Sequence, residues 1–428
     1  MGFDFTVSRR DFLRASGAAG GLMVSSAMFG NVLRAEKPVR NTKIKSVIML
    51  FMEGGPSQLE TFDCKPGKKT AAPYKVIETE VPGFAPCEHL PNIAKRAKDL
   101  LLIKTMSSRE GNHSRAAYLL RTGYIPNPTL KHPSLGSIVA HQLGDPDFEL
   151  PNFVKLRGAP HPAGYLGVNQ NPFVISRPGA KIENLDYAAG VDKDRMDRRM
   201  KLVKEMEKDF AKEHGNEATE AHKAMYEKAR KLMDSPLRKK FYIDDEPQEV
   251  RKAYGQGQFA DSCIIARRLV EAGVPAIEIV HGGWDTHDDG FKRCQELNTA
   301  IDQPWAALIE DLKKRGLYES TLIVWMGEFG RTPDLTGTSG RGHWPNNFCA
   351  VLGGGGVKAG QVIGETDPDG LGRDSKGQSL IKDPVSPADL YKTLGVMMDW
   401  DLTKEFEAGN RPVWLIDKGA KEVEKIYK

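Results

Sequence analysis

The chain has 428 residues, 40% of them hydrophobic and 28% charged. That balance allows two or three domains or one large α/β domain, and excludes a disordered, collagen-like or polytopic membrane protein. A formal net charge of +4 is too small to argue for a polyanion-binding surface, so no nucleic-acid partner is expected, and five cysteines without a Cys-x-x-Cys spacing speak against a disulfide scaffold or a cysteine zinc site.

The N-terminus carries an address. Residues 8–14 read Ser-Arg-Arg-Asp-Phe-Leu-Arg, which resembles a twin-arginine export signal. A mildly apolar stretch rich in small residues follows, from Ala15 to Leu33, less apolar than a membrane anchor. Small residues around Ala35 suit cleavage. Residues 1–35 are therefore expected to be a signal peptide read by the twin-arginine export machinery. Residues 36–428 are then the mature protein, periplasmic or secreted, with no integral membrane span.

Lys45 to Met52 is a continuous apolar run that suits a strand buried on both faces, and it ends at Glu53-Gly54-Gly55-Pro56-Ser57. Leu100 to Lys104 is a second strand, Ser114 to Leu120 a helix, and Ser134 the cap of another helix. Between about residues 185 and 250 the character changes. Met196, Met200, Val203 and Phe210 form one stripe among many charges, which predicts a helical hairpin insert with one packed face. From residue 259 helices and apolar strands alternate. Helix Ala260 to Ala272 leads to strand Ala276 to Val280, and helix Asn298 to Lys314, with Pro304 bending it or marking its start, leads to strand Thr321 to Met326. Strand Phe348 to Leu352 and a helix capped by Ser386-Pro387 complete the series. This rhythm predicts an α/β fold, a mostly parallel sheet with helices on both faces.

In such sheets ligands bind beyond the carboxyl ends of the strands. Three strands here end in acids or histidines flanked by glycine: Glu53, Asp285 with His287, and Glu328. His343 lies in another glycine-rich stretch, Gly340-Arg341-Gly342-His343. Mixed carboxylates and imidazoles suit a divalent zinc, manganese or iron ion better than magnesium. Asn112-His113-Ser114-Arg115 marks a helix start, read either as an anion site or as an N-terminal cap. Several motifs carry no chemistry. Gly353 to Gly356 lacks the Gly-Lys-Ser/Thr of a phosphate loop, Asp367 to Gly370 lacks the rest of a calcium loop, and Ser57 lacks a nucleophile-elbow context. His89 and His161 read as structural or exposed residues.

These pieces, in this order, resemble the DUF1501 family of exported bacterial proteins. The segments that carry the resemblance are Glu53-Gly-Gly-Pro-Ser-Gln-Leu-Glu-Thr-Phe-Asp63, Asn112-His-Ser-Arg115, His132-Pro-Ser-Leu-Gly136, Gly283-Trp-Asp-Thr-His287, Glu328-Phe-Gly-Arg-Thr-Pro333 and Gly342-His-Trp-Pro345. The family in turn looks like a relative of the alkaline phosphatase and sulfatase superfamily, whose members hydrolyse phosphate or sulfate esters with bound metal. That resemblance implies metal ligands at Glu53, Asp285, His287, Glu328 and His343. It also implies two departures. Phe329 stands where a histidine ligand is usual, and Gly111 falls on the nucleophile position, which leaves it without a side chain.

Two functions follow as expectations. One is a metal-dependent hydrolase of anionic esters, in which Arg115 and Arg331 hold the anion and attack comes from activated water or from His113. The other is a non-catalytic exported binding or assembly protein on the same fold.

Overall fold

The computed structural model describes residues 42–428 other than 184, 215, 216 and 338. The expected signal peptide lies outside the described residues. Eight strands form one sheet: β1 (Ser46–Met52), β2 (Leu100–Met106), β3 (Phe153–Leu156), β4 (Phe173–Ile175), β5 (Ala276–His281), β6 (Thr321–Gly327), β9 (Phe348–Gly354) and β10 (Gln361–Ile363). Their order is β10-β2-β9-β6-β1-β5-β3-β4. Only β9 runs antiparallel to its neighbours β2 and β6; the other pairings are parallel. Two further pairs lie outside this sheet: β7 (Gly330–Thr336) with β8 (Gly340–Trp344), and β11 (Phe406–Ala408) with β12 (Arg411–Val413).

The central strand β1 is buried on both faces, as its unbroken apolar run requires. Ile48, Leu50 and Met52 enter one hydrophobic core, and Val47, Met49 and Phe51 enter a second core on the other face. Helices cover both. The described α-helices are α1 (Pro91–Ala94), α2 (His113–Thr122), α3 (Leu135–Leu143), α4 (Lys193–His214), α5 (Glu217–Asp234), α6 (Gln248–Tyr254), α7 (Gln258–Ala272), α8 (Gly290–Lys314) and α9 (Pro387–Met397). α4 and α5 form the expected helical insert, with Met200 buried and Met196 and Val203 half-buried; the Phe210 side chain lies outside the described residues. Ser134 and Ser386 cap α3 and α9 as expected, the latter in a reciprocal capping box with Asp389.

Two expectations need correction. Pro304 does not mark the start of its helix: it is buried inside the 25-residue α8. Packing of the apolar face over that length outweighs the local cost of proline. Gly330–Thr336 and Gly340–Trp344, where no strand was expected, pair as the ribbon β7–β8, with Arg331 opposite His343.

Strand direction decides where the chemistry collects. β1, β2, β5 and β6 all point their carboxyl ends to one edge of the sheet. Because β9 is antiparallel, its amino end returns to that same edge, so the β7–β8 ribbon between β6 and β9 leaves from and comes back to it. The start of α2, after β2, lies there too.

Candidate metal centre

Asp285 follows β5 and places one carboxylate oxygen at the middle of a polar cluster. Its Oδ1 lies 2.6 Å from Arg331 Nη2, 3.0 Å from His287 Nε2, 3.3 Å from His113 Nε2 and 3.4 Å from His343 Nε2. His113, Asp285 and His343 each offer a ligand atom, and these atoms all lie within 4.8 Å of one another. No other such group occurs among the described residues. His287 adjoins it, its Nε2 being 3.0 Å from His343 Nε2.

The imidazoles are held from behind. His113 opens α2, directly after the cap Asn112, whose side chain accepts from the Arg115 backbone N–H. The cap reading of this segment is therefore the one the structure bears out. His113 Nδ1 lies 2.7 Å from Glu328 Oε1, and His343 Nδ1 lies 2.8 Å from the carbonyl oxygen of Gly111. An acceptor at Nδ1 places that proton there and leaves the Nε2 lone pair facing the centre, the arrangement that metal-binding histidines use. His113 Nε2 is buried, yet it makes no hydrogen bond: its neighbour Asp285 is close but not aligned for one. Phe329, which stands where the resemblance implies a histidine ligand, packs its ring 4.9 Å from His113 and 4.6 Å from His343 between centroids. It forms a dry wall behind both ligand candidates.

Charge around the site is built in. Burial is the largest single influence on Asp285 and opposes its ionisation, but the hydrogen bond and charge of Arg331, with the charges of His113 and His287, together outweigh it and hold the carboxyl down at about 2. The bond to Glu328 raises the His113 pKa, whereas burial lowers that of His343. His343 is thus ready to ligate at neutral pH, while at His113 a cation must compete harder with the proton. Glu328 is buried; Oε1 accepts from Gly54 N–H at 2.8 Å as well as from His113, and Oε2 has no hydrogen-bond partner.

Five expected roles come out differently. Glu53 is half exposed and stands 3.5 Å from Arg121 Nη2, outside the ligand group. Glu328 is outside the ligand group too, its carboxylate lying behind the His113 imidazole. Arg331 cannot hold a substrate anion, because it is fully buried and donates to the carbonyls of Gly54, Gly55, Trp284 and Arg341 and to Asp285. It brackets the loops after β1 and β5 against the ribbon. Arg115 is exposed and gives two hydrogen bonds to Glu110, at 2.9 and 2.6 Å. His113, expected as an attacking group, lies with Asp285 and His343 in the group that could hold a metal ion.

Sequence reading passed over a second set of charges beneath this edge. Lys155 on β3 and Glu278 on β5 are direct register partners, and both are buried. Glu278 Oε1 accepts from Lys155 Nζ at 2.7 Å and from Arg121 Nε at 2.9 Å. The signal was present: each is a lone charge inside an apolar strand, and the two signs are opposite.

Solved structures similar to this one include Ps i-CgsB, with 15% identity over 83% of this chain and 72% of that one and a TM-score of 0.41. A protein of the alkaline phosphatase superfamily from Vibrio parahaemolyticus shows 10% identity, coverage of 86% and 75%, and a TM-score of 0.39. A sulfatase from Pseudoalteromonas shows 14%, coverage of 88% and 73%, and a TM-score of 0.37. No curated protein matches the sequence. Residues 44–427 match DUF1501, described as a protein family of unknown function, and the chain belongs to that family.

Proposed function

We propose that this protein is an exported hydrolase of phosphate or sulfate esters that works with a divalent metal ion. The observation that carries the reading is the convergence of His113, Asp285 and His343 at the carboxyl edge of the sheet, each held from behind by a hydrogen-bond partner. Two imidazole nitrogens and a carboxylate oxygen fit zinc, manganese or iron. His113, Asp285 and His343 would hold the ion, with His287 beside them. When bound, such an ion supplies Lewis acidity, activating water near neutral pH and offsetting charge on an ester oxygen.

The chain's own residues prepare that chemistry. Glu328 and the Gly111 carbonyl fix the protons of His113 and His343 at Nδ1. Arg331 keeps Asp285 ionised and aimed, and Phe329 excludes water from one side. With glycine at 111, no side chain at that position can form a covalent ester intermediate, so water is the attacking group.

A second reading, a non-catalytic metal-holding binding protein, is favoured by one fact. Neither Arg115 nor Arg331 is free to receive an anion. Elemental analysis after reconstitution with zinc, manganese or iron, followed by a screen of aryl phosphates and aryl sulfates, separates the two. The hydrolase reading expects bound metal, turnover, and loss of both in His343→Ala. Metal without turnover supports the binding protein, and absence of stoichiometric metal in the wild type sinks the metal centre.

A further inference from the structure

Arg341 sits two residues before His343 on β8 and is almost fully buried, as is Glu60 in the segment that follows β1. Arg341 gives Nε to Glu60 Oε1 at 2.9 Å, and its Nη2 lies 2.8 Å from the same oxygen. The remaining donors reach the carbonyls of Thr70 (2.8 Å), Thr332 (3.0 Å) and Pro333. Its backbone joins the loop after β5 and the paired strand β7. The N–H donates to Thr286 O at 3.3 Å, between Asp285 and His287, and the carbonyl accepts from Arg331 Nη1 at 3.1 Å. Arg331 in turn holds Asp285. Arg341 and His343 are alternate residues of β8, and Arg331 is the register partner of His343; the register shifts between Arg331 and Leu335, the partner of Arg341.

We propose that the buried Glu60–Arg341 pair is a positioning device for the metal centre, setting where the ribbon delivers His343 relative to Asp285 and His113. This rests on the metal reading above. The physical reason is tolerance. Metal–ligand distances must hold within about 0.2 Å. A two-stranded ribbon outside the main sheet has little rigidity of its own. A planar guanidinium that satisfies one carboxylate and three carbonyls fixes both position and rotation of the strand, which a lone ammonium could not do.

A pair that merely stabilised the fold would behave differently when both charges are removed together. Replacing a buried ion pair with apolar residues is often neutral for stability, whereas removing one partner is not. The test is therefore the double substitution Glu60→Met/Arg341→Met in the mature protein, beside Arg341→Lys. Folding is followed by circular dichroism and thermal unfolding, and zinc affinity by competition with a chelating dye. The expected result is a cooperatively folded double variant with zinc affinity reduced about tenfold or more, and no rescue by Arg341→Lys. A folded double variant that binds zinc like the wild type overturns the proposal. If the double variant does not fold, Glu60→Gln replaces it: weaker zinc binding is expected and unchanged affinity overturns the proposal. Nitrogen NMR of the metal-free proteins keeps the two readings apart. Should the wild type bind no zinc, the metal reading fails, and the positioning claim is judged by His343 alone. Its Nδ1–H, held to Gly111 O in the wild type, is expected to lose that single tautomer in the variant; an unchanged imidazole spectrum overturns the claim.

Discussion

At the scale of single residues, the clearest energetic statement concerns Glu278. It is buried with two cations and one of its oxygens serves both. Burial opposes its ionisation, but Lys155 and Arg121 prevail and hold its pKa at about 2, below the ordinary 4.5. A carboxylate depressed in the folded state adds stability that is complete above its unfolded pKa and is lost as pH falls through the folded value. This contribution should therefore fade between about pH 4.5 and pH 2. Glu278→Gln leaves the buried Lys155 without its counter-ion and Arg121 with only the more distant Glu53, which should cost about 3 kcal/mol at neutral pH. The same substitution should flatten the acid limb of the stability profile over that window. Urea unfolding of both proteins from pH 7 to pH 3 checks this, and a variant with wild-type stability at pH 7 would show that the triad contributes nothing net. Lys155 and Glu278 were legible in the sequence as charges inside apolar strands. Their pairing was not, since it depends on the β3–β5 register.

At the scale of elements, the centre exists because three loops and a ribbon approach more closely than side chains permit. Gly54 has φ +118°, and a Cβ there would stand 2.4 Å from the Asp285 backbone nitrogen. Gly340 is tighter: a Cβ would fall 1.4 Å from the carbonyl oxygen of His287. Neither clash can be relieved by turning a flexible side chain, because backbone is met in both cases. Gly340→Ala should push the ribbon off the Asp285–His287 loop while leaving the eight-stranded sheet intact, because β7 and β8 are not part of it. The expected outcome is a near-native far-ultraviolet spectrum with metal affinity lowered about tenfold or more. A variant that retains wild-type metal binding would show that the loop moves without disturbing the ligands. The sequence showed glycine beside each candidate ligand. It did not show that β7 and β8 pair, since Gly330 to Thr336 has no alternation of apolar and polar residues and ends in an exposed stretch.

At the scale of the whole molecule, the sheet brings to one edge residues more than 200 positions apart, such as His113 and Glu328. No helix among the described residues is long and apolar enough to cross a membrane. We propose that the chain reaches the periplasm or the exterior through its Arg9-Arg10 pair, on the motif at residues 8–14. Replacing both with lysine should leave the precursor in the cytoplasm of the host bacterium. Fractionation and immunoblotting check this, and normal periplasmic accumulation of the double variant would refute the assignment.

By itself the sequence determined the strands β1, β5 and β6, the acid at the end of each, the α/β class and the kinds of ligand atom on offer. Those features are local: a continuous apolar run must be buried on both faces, and the polar residue that follows it must sit at an edge. Which of those residues meet was decided only by tertiary structure. Glu53 and Glu328 both follow buried strands, yet Arg121 draws one aside and His113 covers the other. Arg331 and Arg115 both look like anion holders in sequence, but one is enclosed by four carbonyls and the other pairs with Glu110. His343 reaches the centre because β9 runs against its neighbours. Strand direction, register and the partner that first satisfies a buried charge are set by long-range packing, and one-dimensional spacing carries no record of them.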